Sequence, residues 1–307
     1  MPPHPRRIFE LTDIARILIG DNPFNLVDHF SQERSRLKAP LSVEATAEVV
    51  LSALHNGATG FNFSSTKKIR DVLSLMRETG SPDFGLYPIF PDVYGLARAA
   101  SERGFANTAK ELLGGGSIFR KTKTLLEAGT AFLTADPRKL LRTYLSAELA
   151  CLERVSPTGA RLRAVILHEV LSELIVSFRL DDLLREYVDY VRDEFRAMPG
   201  FVTRNFVRFL SFVEEGDFGE LIVMTPFNKV GYQMNPSREE CERALVRSAG
   251  IDVIAMSVLS AGFLTPNEAF TYLKSLPQDV SCVVGVSTVE HAIETFSLLS
   301  RTFGSET

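Results

Sequence analysis

Three strand-turn-helix units follow one another in the last third of the chain, and each helix opens with the pattern Ser/Thr-x-x-Glu. The predicted strands cover residues 220–224, 251–256 and 280–286, and the helix starts follow at Ser237, Thr265 and Ser287. In this pattern the hydroxyl caps the backbone N–H three residues on, and the Glu carboxylate reaches back to the N–H of the cap residue. Strands that alternate with helices in this way predict βα units and a parallel sheet. In such folds the functional residues lie at the carboxyl ends of the strands.

Upstream segments extend the same alternation to eight strands. Further strands are predicted at 16–20, 59–64, 84–89, 163–168 and 201–203, and helices at 42–56, 66–79 and 180–198. Eight alternating units favour a closed (β/α)8 TIM barrel over an open doubly wound sheet, and 307 residues are enough for such a barrel with insertions. We expect a single domain, residues 1–307, because no linker or low-complexity tract divides the chain.

The connection between the third and fourth strands, residues 90–162, is much longer than one helix and two short loops. Helices are predicted there at 96–113 and 137–152, separated by three glycines at 114–116. This helical insertion has two interpretations. It either adds helices to the rim of the barrel or forms a lid over the strand ends with the glycines as a hinge.

Composition excludes several classes of function. A net charge of −4 without a basic stripe gives no reason to expect a nucleic acid partner. The three cysteines lie far apart and form no CxxC, which indicates a reducing compartment and argues against disulfides or structural zinc. No apolar run approaches 18 residues and the first residues lack a signal-type apolar core, so we expect a soluble cytoplasmic protein without a membrane partner.

The strands, taken in order, resemble those of the aldo-keto reductase superfamily over most of the chain outside the insertion. The matching segments are ILIG at 17–20, LSALHNGATGFNF at 51–63, VILH at 165–168, TPFN at 225–228, AMSVLSAGFLT at 255–265 and VGVSTVEH at 284–291. The resemblance implies the barrel fold and an active-site histidine at His168. It also implies contacts to an NAD(P) cofactor from Asn205, Phe227, Ser287 and Thr288.

The family's catalytic set is not matched in full. The position of its Asp falls on Ser65, that of its Tyr falls near Arg70, and that of its Lys falls at 87–89, where this chain has no lysine. A phenol with a pKa near 10 is a poor acid at neutral pH unless a cation lies beside it. Ordinary carbonyl reduction is therefore not expected. The cofactor stays open as well, because His291 replaces the Arg that commonly holds the adenosine 2′-phosphate in the family.

Polar residues at the predicted strand ends supply the remaining candidates. His168 is the expected acid-base group, because an imidazole with a pKa near 6.5 can exchange a proton in both directions. Asp21 is a candidate base or the first residue of an Asx turn, and Lys229 with Tyr232 is a candidate replacement for the phenol-ammonium pair. Candidate substrate contacts are Asn22, Ser65, Tyr87, Arg204 and Asn228. No HxH, HExxH or paired-carboxylate spacing indicates a metal site.

Three functions are compatible with these residues. The first is an enzyme that transfers a proton at His168 on a small, phosphorylated or carboxylated substrate. The second is a divergent NAD(P)-dependent oxidoreductase, and the third is a non-catalytic barrel that binds a ligand or a protein. The sequence leaves the substrate and the oligomeric state open among them.

Overall fold

The computed structural model describes residues 15–25, 41–93, 95, 101–102, 104, 136–248 and 250–303. Its parallel strands are β1 (Ile17–Gly20), β2 (Gly60–Ser64), β3 (Phe84–Phe90), β4 (Ala160–Leu162), β5 (Ala164–Leu167), β6 (Met198–Val202), β7 (Leu221–Pro226), β8 (Ile251–Met256) and β9 (Ser281–Val284). Strand β1 pairs with both β2 and β9, so the sheet closes on itself. β4 and β5 lie end to end along β3 and together form one position of the barrel. The predicted closed eight-position barrel is confirmed.

Helices surround the barrel and join successive strands. They are α1 (Val43–His55), α2 (Lys67–Thr79), α3 (Pro137–Val155), α4 (Glu169–Ser177), α5 (Asp181–Phe195), α6 (Phe206–Gly216), α7 (Arg238–Leu245), α8 (Pro266–Lys274) and α9 (Val289–Phe303). Two 3-10 turns, Asn22–Asn25 and Ser260–Gly262, follow β1 and β8. Among the residues that the structure describes, no helix is both long and apolar enough to cross a membrane.

Within the insertion, the predicted helix at 137–152 is confirmed as α3. It packs in the outer layer between α2 and α5, which is the place of an ordinary barrel helix after β3. The other predicted helix, at 96–113, and the glycines at 114–116 lie outside the described residues apart from 101, 102 and 104.

Two of the three predicted helix caps are confirmed. Ser237 caps α7, and Thr265 forms a complete capping box with Glu268 at the start of α8. The third prediction is wrong by one residue. At the start of α9 it is the Thr288 hydroxyl, not that of Ser287, that accepts a hydrogen bond of 3.2 Å from the N–H of His291.

The predicted helix at 180–198 ends earlier, at Phe195, and β6 begins at Met198, three residues before its predicted start. Arg196 causes the difference because its φ of 50° places it in the left-handed region, which ends the helix. A glycine would have signalled this stop in the sequence, whereas an arginine does not.

Apolar side chains fill the barrel and the space between its strands and helices. The inner cluster consists of Ala15, Leu18, Tyr87, Ile89, Ala164, Ile166, Val202, Ile222, Met224 and Ile254. Tyr87 is fully buried there, and its hydroxyl accepts a hydrogen bond of 2.6 Å from the N–H of Ala15, at the amino-terminal end of the barrel. Burial raises the pKa of Tyr87 to about 12. The interpretation of Tyr87 as a strand-end substrate contact is therefore wrong, because its hydroxyl points away from the mouth.

Candidate functional site

The carboxyl ends of β1 and β2 are joined by Asp21, which directly follows β1 and is 3% exposed. One carboxylate oxygen, Oδ2, accepts a hydrogen bond of 2.8 Å from the N–H of Ser64. The carbonyl of Asp21 accepts a second bond from the N–H of Phe24, which forms the following turn. These contacts hold the ends of β1 and β2 together. They are the contacts that the structure shows for Asp21, which the sequence analysis predicted to be catalytic. Asn22, a predicted substrate contact, is exposed in the same turn.

Beside β2, three side chains link α2 to α3. Arg70 Nη1 lies 3.1 Å from Glu148 Oε2, and the Ser65 hydroxyl donates to the same oxygen at 3.0 Å. The Arg70 and Glu148 side chains are 30% and 18% exposed. Burial raises the pKa of Glu148, and the Arg70 guanidinium opposes that rise. We call Asp21, Ser65, Arg70 and Glu148 the paired rim, because each makes its recorded contacts within the protein.

Sequence reasoning missed the contribution of α3 to this rim. Besides Glu148, α3 places Tyr144 against Phe90 at the end of β3, with the ring centroids 6.2 Å apart in an edge-on arrangement. Burial raises the pKa of Tyr144 well above its ordinary value. Residues 70 and 148 are 78 positions apart, so no local spacing could have announced their contact.

Two strand positions along the mouth from β2, His168 follows β5 and caps α4. Its Nδ1 accepts a hydrogen bond of 3.2 Å from the N–H of Val170. In a neutral imidazole one nitrogen accepts and the other carries the proton, so this bond places the proton on Nε2. Burial lowers the pKa of His168, and the carboxylates of Glu169 and Asp92 oppose that effect. The neutral form with a donor at Nε2 is thus favoured at neutral pH.

Next to His168, Arg204 and Glu169 form an ion pair between the ends of β6 and β5. Arg204 Nε lies 2.8 Å from Glu169 Oε1. The same Nε is buried and has no hydrogen-bond partner among the described residues, so its N–H is not directed at the carboxylate despite the short distance. The contact is therefore a charge pair without a hydrogen bond. The Nε is enclosed by the protein, whereas the Arg204 side chain as a whole is 34% exposed, so a ligand can reach only the outer nitrogens of the guanidinium.

These residues border an open cleft of about 500 Å³, lined by Glu169, Glu173, Arg204, Asn205, Asn235 and Pro236. We call it the β5–β7 cleft, after the three strand ends that supply its walls. Glu173 Oε1 accepts a hydrogen bond of 2.6 Å from the Thr203 hydroxyl, which itself accepts from the N–H of Asn205 at 3.0 Å. A volume of this size is in the range of sites for small ligands.

The loop after β7 uses its polar residues to hold its own shape. Asn228 is fully buried, and its amide group donates to the carbonyl of Tyr232 at 2.8 Å and accepts from the N–H of Tyr232 at 2.7 Å. The Tyr232 hydroxyl accepts from Gln233 Nε2 at 3.1 Å. Lys229 Nζ lies 3.8 Å from Glu268 Oε1, and about half of each side chain is exposed. Asn228 is thus a loop clamp, and the contact recorded for Lys229 is a surface ion pair.

The four predicted cofactor contacts are only partly in position for a nicotinamide dinucleotide. The Asn205 side chain caps α6 by accepting from the N–H of Arg208 at 3.2 Å. Phe227 is fully buried in the outer core, with its ring 5.7 Å from that of Phe206. Ser287 and Thr288 lie partly buried at the N-terminus of α9, where backbone N–H groups favour an anion. Ser287 and Thr288 therefore suit a phosphate group, whereas Asn205 and Phe227 are engaged within the protein.

Comparisons with known proteins agree with the barrel topology. No family model matches the chain, and no curated protein does. A solved structure of a candidate aldo-keto reductase from Pseudomonas aeruginosa is similar with a TM-score of 0.55 at 10% identity, covering 97% of this chain and 98% of that one. The fold of the barrel is therefore similar to that of this structure. A second structure from the same organism gives a TM-score of 0.53 with the same identity and coverage. At this identity the likeness concerns the fold, because one fold carries many chemistries.

Within this aldo-keto-reductase-like barrel, the positions that the sequence matched to the family's Asp and Tyr are Ser65 and Arg70, two members of the paired rim. His168 stands at the end of β5, facing Arg204 and Glu169. Among the described residues, no group of three or more His, Cys, Asp or Glu side chains could hold a metal ion.

Proposed function

We propose that this protein is an enzyme that binds a small carboxylated or phosphorylated substrate in the β5–β7 cleft and donates a hydrogen bond from His168 Nε2 to a substrate oxygen. The observation that carries the proposal is the hydrogen bond from Val170 N–H to His168 Nδ1, which leaves Nε2 as the donor beside a cleft lined with charged residues. A donor held in place before reaction stabilises negative charge that develops on an oxygen.

The hydrogen bond from Val170 N–H to Nδ1 limits which proton transfers the His168 imidazole can make. Uptake of a proton at Nδ1 would break the hydrogen bond from Val170 and would place two N–H groups against each other. His168 therefore acts as a donor through Nε2 in the arrangement observed, and the two-way exchange expected from the sequence requires release of the cap. An oxyanion or carbonyl oxygen is the substrate group that matches such a donor.

The experiment uses His168→Asn, because asparagine is a favoured N-cap that also accepts the Val170 N–H. Carboxylated and phosphorylated carbonyl compounds are incubated with wild-type protein, and turnover is followed by NMR. For any compound that reacts, we expect kcat to fall by about 100-fold or more in the variant, the range for the loss of one donor to a developing oxyanion. Wild-type rates in the variant would remove His168 from the mechanism, and a complete lack of turnover would favour a ligand-binding barrel.

An NAD(P)-dependent oxidoreductase is the second candidate. Its support is the description of the two similar structures as candidate aldo-keto reductases and the anion-favouring N-terminus of α9. Titration of NADPH, followed by nucleotide fluorescence, tests it. Micromolar binding that Ser287→Glu weakens by charge repulsion would favour this candidate, whereas wild-type affinity in the variant would place the nucleotide elsewhere.

A further inference from the structure

We infer that the β5–β7 cleft takes a small zwitterion of the amino-acid type, whose oxyanion meets Arg204 and whose ammonium meets Glu173 and Glu169. This inference names the substrate class for the proposed function and rests on it. It is carried by the mixed charge of the cleft together with the exposed part of the Arg204 guanidinium.

The anionic end of the ligand is indicated by Arg204. The Nε of this side chain is buried beside Glu169, whereas the side chain as a whole is 34% exposed, so the outer nitrogens of its planar fork are the donors that a ligand can reach. The ion pair with Glu169 is made through Nε and keeps the guanidinium at the cleft. A carboxylate or another oxyanion is the ligand group that best matches the outer donors.

The cationic end is indicated by the two glutamates. Glu169 and Glu173 follow one another by one helical turn at the start of α4, and the cleft holds one arginine against these two carboxylates. The contacts described above use Oε1 of each, while a carboxylate has two oxygens with about four lone-pair sites. A plain anion would raise the formal charge of cleft and ligand together from −1 to −2, whereas a zwitterion leaves it at −1 and sets its ammonium group against the second carboxylate.

The neighbouring polar groups do not provide that balance. The Asn205 side chain is engaged as the cap of α6, and Asn235 donates from its amide to the carbonyl of Gln233 at 3.3 Å. Both are neutral, so they shape the wall without changing its charge. The cleft therefore selects ligands that carry opposite charges at their two ends, and it excludes compounds that carry only one of these charges.

The test measures binding alone, so it does not depend on turnover. The probes are glycine, β-alanine, 4-aminobutyrate and 5-aminovalerate, with valerate and pentylamine as matched compounds that carry one charge each. Binding to the full-length protein is measured by isothermal titration and ligand-observed NMR. We expect one chain length to bind about tenfold or more tightly than either single-charge compound, because it alone spans both ends.

Two single variants locate the site. Glu173→Gln keeps the shape of the side chain and an oxygen that can accept from Thr203, and Arg204→Gln removes the positive charge; each should weaken binding of the best amino acid about tenfold or more. Glu78→Gln, on the exposed end of α2, makes the same change of charge away from the cleft and should leave the affinity unchanged.

The outcomes separate the ligand class from the catalytic proposal. No saturable binding up to about 10 mM, or binding that both cleft variants leave unchanged, would overturn the inference. Equal affinity for valerate would also overturn it, since a plain anion would then suffice. Retained binding in His168→Asn, with no turnover of any compound by wild type, would support the ligand class and contradict the proposed chemistry.

Discussion

On the paired rim the polar side chains bind one another, whereas at the β5–β7 cleft a buried arginine donor has no hydrogen-bond partner among the described residues. Both regions lie at the carboxyl ends of barrel strands, and both contain an arginine close to a glutamate. In the rim, Glu148 accepts hydrogen bonds from Arg70 and Ser65. At the cleft, Glu169 lies near Arg204 Nε without accepting its proton.

This difference separates structural ties from groups that await a ligand. A polar side chain whose donors and acceptors are satisfied inside the protein gains little from a substrate, while the exposed part of the Arg204 guanidinium can still bind one. We therefore expect Asp21, Ser65 and Arg70 to serve the framework of the barrel and Arg204 to serve the proposed site.

The largest expected effect is on the rim. Glu148→Ala leaves the Arg70 guanidinium and the Ser65 hydroxyl without their shared acceptor, so we expect the free energy of unfolding to fall by about 1–3 kcal/mol, less than for a fully buried pair. Urea denaturation measures the loss. Glu148→Gln retains an acceptor oxygen and should lose less; equal losses in the two variants would mean that the pairing does not hold α3 to α2.

A smaller effect on stability is expected at the cleft. Arg204→Gln removes a partly exposed ion pair that lacks a hydrogen bond, and the free energy of unfolding should change by no more than about 1 kcal/mol. The same urea titration, run beside Glu148→Ala, gives the comparison directly. A loss as large as that of Glu148→Ala would make Arg204 a framework residue and would blur the contrast between the two regions.

The smallest effect concerns pH. Because burial lowers the pKa of His168 below its unfolded value of 6.5, the unfolded chain binds the proton more readily, and stability falls as the pH drops below about 6.5. In His168→Asn, which keeps the cap, this part of the slope should disappear. Its size is at most about 1.4 kcal/mol per pH unit, the limit for one proton.

Thermal unfolding of wild type and His168→Asn between pH 7.5 and pH 5 measures this slope. Matching pH profiles in the two proteins would show that His168 titrates alike in the folded and unfolded chains, and that its position in the site does not desolvate it.

Local signals made the architecture predictable. The strands and the caps at Ser237 and Thr265 follow from short-range patterns of apolar and hydroxyl residues. The third cap was misplaced because Ser287 and Thr288 are adjacent hydroxyl residues, and either suits the role chemically. The early end of α5 at Arg196 had no signal, because its left-handed conformation does not follow from its residue type.

The candidate site was predictable only in its positions along the chain. The sequence placed Asp21, Ser65, His168 and Arg204 at strand ends, which the structure shows. It did not show the partners, since Glu148 reaches Ser65 from 83 residues away and the pairing depends on where the insertion packs. Tyr87 was misassigned for a related reason. A tyrosine in a barrel strand can point toward either end of the barrel, and the glycines that contact the Tyr87 ring lie on two different strands.

Those glycines decide how the interior of the barrel ends. Gly60 and Gly85 pair across β2 and β3, and a Cβ at either would lie 2.8 or 2.7 Å from the Tyr87 ring. The ring therefore fills the amino-terminal end of the barrel interior, and its hydroxyl accepts a hydrogen bond from the backbone at Ala15. Because apolar side chains fill the barrel, a ligand can meet only the strand ends and their loops, so selectivity depends on those loops. Exchanging those loops would change which ligands the protein accepts and would leave the amino-terminal end of the barrel interior unchanged.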